Sequence, residues 1–176
     1  MSIRLRLLEK KDAPFMLEWI QDKEISSCFR FDVQGMTIEK VNNFIEEAQD
    51  ISKNMHMAVV SDSDEYLGTI SLKEIDLINH NAEYAISMRR CARGKNIARY
   101  ATESLLHKAF NEIGLNKVYL NVLSDNIRAI RFYEKLGFNF EGEFKDQLFI
   151  NGEYKSIKWF CIFQAQFNEM KRSVCI

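Results

Sequence analysis

The sequence has one proline in 176 residues, only seven glycines, and no Pro-, Gly- or Ser-rich stretch that could serve as a linker. A two-domain split is therefore hard to place, and the length suits one domain of the usual ~100–200 residues. The expectation is a single domain over residues 1–176. Charge of neither sign prevails: 24 Lys and Arg stand against 25 Asp and Glu, a formal net charge of -1. That balance lacks the overall basic bias of nucleic-acid binders, so no nucleic-acid partner is expected. The four cysteines, Cys28, Cys91, Cys161 and Cys175, lie far apart and form no CxxC pair. Zinc ligands usually come in close pairs, and His56, His80 and His107 add no ligand or dyad spacing, so no metal is expected. Scattered cysteines read as reduced thiols of the cytoplasm. No apolar run is long enough for a signal peptide or approaches the ~20 residues of a membrane helix, so the expectation is a soluble cytoplasmic protein with no membrane partner. What the chain does have is apolar volume: 47% hydrophobic residues, with 13 Phe, enough for a sizeable core.

Hydrophobic periodicity divides the chain into short elements. Ile3, Leu5 and Leu7 alternate with Arg4 and Arg6, the period of a half-buried strand. Asp12 offers a helix N-cap with Pro14 in the first turn, and Phe15, Met16, Trp19 and Ile20 share a helical face. Gly35 and Thr37 announce a second helix with the stripe Val41, Phe44, Ile45 and Ala48. The pattern then changes to Met55–Val60, the turn signal Ser61–Asp64 and Leu67–Ile75, which together read as a hairpin. After a turn at Asn79–Asn81, Ala82–Met88 alternates again, with Glu83, Ala85 and Ser87 on one face and Tyr84, Ile86 and Met88 on the other.

A basic loop, Arg89–Asn96, leads into a helix over Ile97–Asn111 with the stripe Ile97, Ala101, Leu105 and Ala109, stopped by Gly114. Val118, Leu120 and Val122 mark a buried strand. Asn126 can cap a helix over Ile127–Leu136, which Gly137 ends. Asn151–Gly152 is a strong hairpin turn because both residues tolerate positive φ. The last strand, near Ile157–Phe163, leads into a short polar tail. Hairpin strands mixed with crossover helices predict an α/β (α+β) chain with a mixed, mostly antiparallel central sheet flanked by helices.

Two segments carry chemistry. A loop with Gly between a strand and a helix aims backbone N–H groups at one spot, and the helix N-terminus adds partial positive charge there. Gly94 and Asn96 shape such a loop, Arg93, Lys95 and Arg99 supply full charges, and Ile97 and Ala98 open the helix. The arrangement suits a pyrophosphate; a basic, solvated loop around an ordinary Gly turn is the other reading. The second segment is Asp125–Phe138, where Asn126, Ala129, Tyr133, Gly137 and Phe138 match the pattern N-x-x-A-x-x-x-Y-x-x-x-G-F. That pattern resembles the late motif of the GNAT superfamily of acyl-CoA-dependent N-acetyltransferases. The basic loop resembles the coenzyme A motif of the same superfamily, with Arg93 and Ala98 matching its ends. Asn96 stands where a glycine is expected, although Asn accepts left-handed backbone angles better than most residues. The resemblance runs from Leu7 to the Asn151–Tyr154 hairpin and is nearest the branch with ribosomal-protein, polyamine and amino-sugar acetyltransferases.

The resemblance implies a GNAT fold, acetyl-CoA as co-substrate, and an acceptor that is a small amine, an amino-sugar or a protein N-terminus. It also implies a homodimer. Attack is direct, in a ternary complex, so the amine must lose a proton, the thioester carbonyl must be polarised and the thiolate must be protonated. Tyr133 takes the position of the acid near the sulfur. Its reference pKa of ~10 against ~8.5 for a thiol makes full transfer uphill by ~2 kcal/mol, which favours hydrogen-bond donation. Glu83 is the candidate base, through water, or else steers a cationic acceptor. The backbone N–H near Met88 is the candidate carbonyl donor. Asn126 has two readings, a helix cap or a coenzyme A contact, which are compatible. Trp19, Phe29, Phe31, His80 and Phe149 could shape an acceptor pocket, though core packing is the commoner role for each aromatic. The alternative function is a non-catalytic acyl-CoA sensor using the same loop.

Overall fold

The computed structural model describes residues 2–22 and 33–174, so Cys28, Phe29, Phe31 and Cys175 lie outside the described residues. The chain forms two compact units. One runs to Ile75 and resumes over Tyr84–His107; the other takes Asp76–Glu83 and continues from Lys108.

In the first unit, β1 (Ile3–Leu7), β2 (Met55–Ser61) and β3 (Tyr66–Asp76) follow one another in antiparallel order. Beside β3 comes β4 (Asn81–Met88), whose Tyr84–Met88 half belongs here. Helices α1 (Ala13–Gln21), α2 (Ile38–Glu47) and α3 (Ile97–His107) complete the unit. The predicted stripes become the core: Met16, Trp19 and Ile20 of α1 and Val41 and Ile45 of α2 pack with Ala58 and Val60 of β2. Thr37 caps α2 as expected, its side chain accepting from the Lys40 N–H at 3.3 Å. Phe15 and Leu7 depart from the pattern, each nearly two-fifths exposed.

Asp12 is a correction. Its carboxylate does not cap α1; it turns back onto the preceding turn, accepting from the Glu9 N–H at 2.9 Å and gripping both Arg6 Nη atoms at 2.7 and 2.8 Å. Asp12 is 1% exposed, and a carboxylate that deep requires a paired charge. A neighbouring pair forms at the surface, where Lys11 and Arg6 hold the Asp64 carboxyl down to about 2. Its contribution to stability is complete above the ordinary value of 3.8 and is lost as pH falls from there through about 2.

β3 and β4 meet closely at Gly68. A Cβ there would overlap the Ser87 carbonyl oxygen and stand 2.9 Å from the Met88 Cα, so this position requires glycine for space rather than for φ.

In the second unit, Asn81–Glu83 of β4 pairs in parallel with β5 (Lys117–Leu123). β7 (Glu153–Phe163) is antiparallel to β5, and β6 (Asn139–Ile150) is antiparallel to β7. The seven strands thus form the mixed, mostly antiparallel sheet that the sequence predicts. Helix α4 (Ile127–Lys135) and helix α5 (Gln164–Val174) bring the described α-helices to five. Asn151 (φ 51°) and Gly152 (φ 83°) both adopt positive φ, as the hairpin signal requires.

Two local features differ from expectation. The helix predicted over Ile97–Asn111 changes at His107 into a wider π-helical turn, Lys108–Ile113, closed by a Leu115 N–H bond to the Ala109 carbonyl with Gly114 at φ 81°. The predicted polar tail is helix α5. It is polar because most of it faces solvent, while Phe167, 4% exposed, packs on Phe110 with ring centroids 5.5 Å apart.

Candidate functional site

The first unit holds the candidate anion loop. After β4 the chain makes a short turn at Arg90–Ala92, then passes Gly94 at φ 77° and Asn96 at φ 57°. Asn96 therefore does adopt the left-handed conformation that the family pattern assigns to glycine. The first i→i−4 bond of α3 joins the Tyr100 N–H to the Asn96 carbonyl at 3.0 Å. The N–H groups before it point out of the helix end, where an anion is favoured. Ile97, 2% exposed, anchors this start in the core, while Lys95 is exposed. Nothing lies within 4 Å of a Cβ built at Gly94, so the loop is open there and its backbone accessible. These features fit a diphosphate.

The charge the loop can offer is smaller than its basic residues suggest. Arg99 Nε donates to Glu103 at 2.9 Å. Arg90 pairs with Asp22. Arg89, which the sequence did not single out, donates to Glu18 at 2.8 Å and to the Tyr66 carbonyl at 3.0 Å, with its guanidinium 4.5 Å over the Phe15 ring. No local signal indicates the partners of Arg89 and Arg90, because Glu18 of α1 and Asp22 just after it lie about seventy positions away. At Met88, the following N–H, that of Arg89, is bonded to the Leu67 carbonyl at 2.9 Å, which fixes the end of β4 against β3.

The first unit also contains a cavity of about 120 Å³. Met16 and Trp19 of α1 and Phe44 of α2 line it on the helix side, and His56, Thr69, Ser71, Ala85, Ile86 and Ser87 on the strand side. Trp19 thus lines the cavity while remaining part of the core. Its Nε1–H donates to the Tyr66 hydroxyl at 3.0 Å, and that hydroxyl meets Thr69 Oγ1 at 2.6 Å. Burial drives the Tyr66 ionisation far above its ordinary value, so the phenol is neutral. His56 places Nδ1 2.8 Å from Ser71 Oγ and packs edge-on to Phe44 at 4.9 Å. Burial, with the charge of Lys73, lowers its pKa below 6.5. The spacing of His56 in the sequence suggests neither a metal ligand nor a catalytic dyad, and gives no sign of its place here.

The second unit holds the remaining candidates. Asn126 caps α4, with Oδ1 accepting from the Ala129 N–H at 3.1 Å. Tyr133 is 9% exposed, its ring edge-on to Phe132 at 5.4 Å and Phe138 at 5.9 Å. Glu83 is half-buried, and Asn121 Nδ2 donates to its Oε1 at 3.3 Å, a partner the sequence did not indicate. His80 is an exposed turn residue at φ 53° whose carbonyl accepts from the N–H groups of Asn116 and Lys117. Phe149 is 66% exposed on β6. Among the described residues, no cluster of three His, Cys, Asp or Glu side chains could hold a metal, and no helix is long and apolar enough to cross a membrane.

Comparison with known proteins bears on these groups. The family model for the Acetyltransferase (GNAT) domain matches residues 2–139. The spermidine N(1)-acetyltransferase of Escherichia coli K12 is 32% identical over 94% of this chain and 88% of its own. That of Vibrio cholerae is 31% identical over 94% and 95%. A crystal structure of the Vibrio cholerae spermidine N-acetyltransferase with CoA and spermine superposes with a TM-score of 0.87 at 26% identity, covering 94% of this chain and 98% of that one.

Proposed function

Because the chain belongs to the GNAT acetyltransferases, acyl-CoA-dependent enzymes that acetylate amines, we propose that its acceptor is a polyamine and that the amine attacks acetyl-CoA directly in a ternary complex. The observation that carries the acceptor is the similarity to spermidine acetyltransferases, which extends over 94% of the chain rather than over a coenzyme-binding segment alone.

Acetyl-CoA supplies an activated acyl group and a diphosphate handle. In this reading, the backbone N–H groups of Gly94–Ala98 hold the diphosphate, with Arg93 and Lys95 adding charge, and the Met88 main chain orients the thioester. Asn126, besides capping α4, contacts the coenzyme. Glu83 removes the ammonium proton through water, and Asn121 keeps its carboxylate turned by the 3.3 Å bond. Tyr133 donates a hydrogen bond to the departing sulfur, and its aromatic surroundings limit the rotation of its phenol. The full reading also includes a cytoplasmic setting, where acetyl-CoA is available, and a homodimer, which sedimentation would test.

The test is thiol release from acetyl-CoA across spermidine, spermine, amino-sugars, aminoglycosides and N-terminal peptides. Turnover with polyamines at the lowest KM is expected. Turnover restricted to amino-sugars or peptides would overturn the acceptor assignment. The loop is testable separately. Asn96→Val places a β-branched residue at φ 57°, a strain of ~1–2 kcal/mol. Calorimetry should show acetyl-CoA affinity falling about five- to thirtyfold, with Asn96→Gly close to wild type. Equal affinity for all three would remove the loop from coenzyme binding.

A further inference from the structure

We infer that His56, paired with Ser71 inside the cavity of the first unit, is the specificity-determining residue for the far end of the acceptor, accepting a hydrogen bond from an amine group that does not react. The inference rests on the polyamine reading above. It begins from the strand order: His56 is on β2, in register with Ser71 of β3, and β4 lies on the far side of β3. Neighbouring strands are ~4.8 Å apart, so the His56 backbone stands ~10 Å from β4, whose Ala85, Ile86 and Ser87 line the same cavity. His56 therefore enters the cavity from the side away from β4. It can meet the other end of a molecule whose reacting nitrogen is there.

The chemistry of the pair suits that task. Ser71 Oγ can either donate to or accept from Nδ1. When Nδ1–H donates to Ser71, the lone pair lies on Nε2, available to an amine N–H. Burial keeps the ring in its neutral form near pH 7, as this requires. The charged group that faces it is Lys73 of β3. The elements packed around the cavity contribute Met16 and Trp19 from α1, Phe44 from α2 and Ala85 and Ser87 from β4, none of which titrates in this range. At about 120 Å³, the cavity has room for an alkyl arm and its amine.

The test is steady-state kinetics of wild type, His56→Gln and Ser71→Ala with spermidine and with butylamine, which has no second amine. For His56→Gln, the spermidine KM should rise about tenfold or more, while kcat and the butylamine KM stay within twofold. Ser71→Ala should raise the spermidine KM by a smaller factor, and it serves alone if the histidine variant does not fold. In wild type the ratio of the spermidine KM to the butylamine KM should also rise as pH falls below ~6.5, because protonated His56 repels the second ammonium, and His56→Gln should lack that rise. An equal rise for both amines, or no change for either, overturns the inference and leaves the polyamine reading standing. Wild type that releases no thiol with spermidine overturns both.

Discussion

Tyr133→Phe should lower kcat by about 10²-fold or more, since a positioned proton donor is worth ~10²–10⁴, while the affinity for acetyl-CoA stays close to that of wild type. The substitution removes one oxygen and leaves the ring between Phe132 and Phe138. Single-turnover thiol release, set beside calorimetry of acetyl-CoA binding, separates the two quantities. If the phenol acts as a hydrogen-bond donor, the loss lies toward the lower end of that range. It should also shrink for acyl donors with a more acidic thiol leaving group, which need less help. A variant that turns over at the wild-type rate would remove Tyr133 from the chemistry. A protein that binds acetyl-CoA without turnover in either form would instead be the acyl-CoA sensor.

The second large effect concerns stability. Arg6→Ala should cost about 3–5 kcal/mol in urea unfolding, the range found when a buried ion pair loses one partner. Asp12→Ala should cost distinctly less. The asymmetry follows from what remains. Without Arg6, the Asp12 carboxylate, 1% exposed, keeps the Glu9 N–H but loses the guanidinium it grips with both oxygens. Without Asp12, Arg6 still has Asp64 at 2.9 Å and Glu9 at 3.4 Å. Equal losses for the two variants would show that the surface carboxylates do not hold Arg6. The pair joins β1 to the start of α1, whose Met16 and Trp19 line the cavity, so a partly unfolded variant should lose acceptor binding along with stability.

Much of the architecture was legible because its signals are local. Thr37, Asn126 and the Asn151–Gly152 pair each act within three residues of their own position, and the apolar stripes of α2 and α3 repeat at helical spacing. Asp12 illustrates where local reading ends. Its residue type predicts a cap, but Arg6 competes for the same carboxylate, and a buried charge takes the guanidinium first. Helix α5 was missed because a single buried residue, Phe167, gives too weak a periodicity. Its start is marked only by the Gln166 side chain accepting from the Phe163 N–H at 3.1 Å. The candidate anion loop stands out as a motif, whereas the pairing of Arg89 with Glu18 and of Arg90 with Asp22 does not, since it depends on tertiary contact. His56 was hidden for the same reason: its meaning comes from Ser71, fifteen positions away across a hairpin.

The bare backbone at Gly68 has a mechanical consequence. With no room for a methyl group between it and the chain at Ser87 and Met88, the tip of β4 is seated as near to its neighbour as two main chains allow. Alanine at this position would act as a wedge, forcing the chain at Ser87 and Met88 to shift. In the proposed reading, the aim of the Met88 main chain at the thioester is thus set from behind, by a side chain that the position does without.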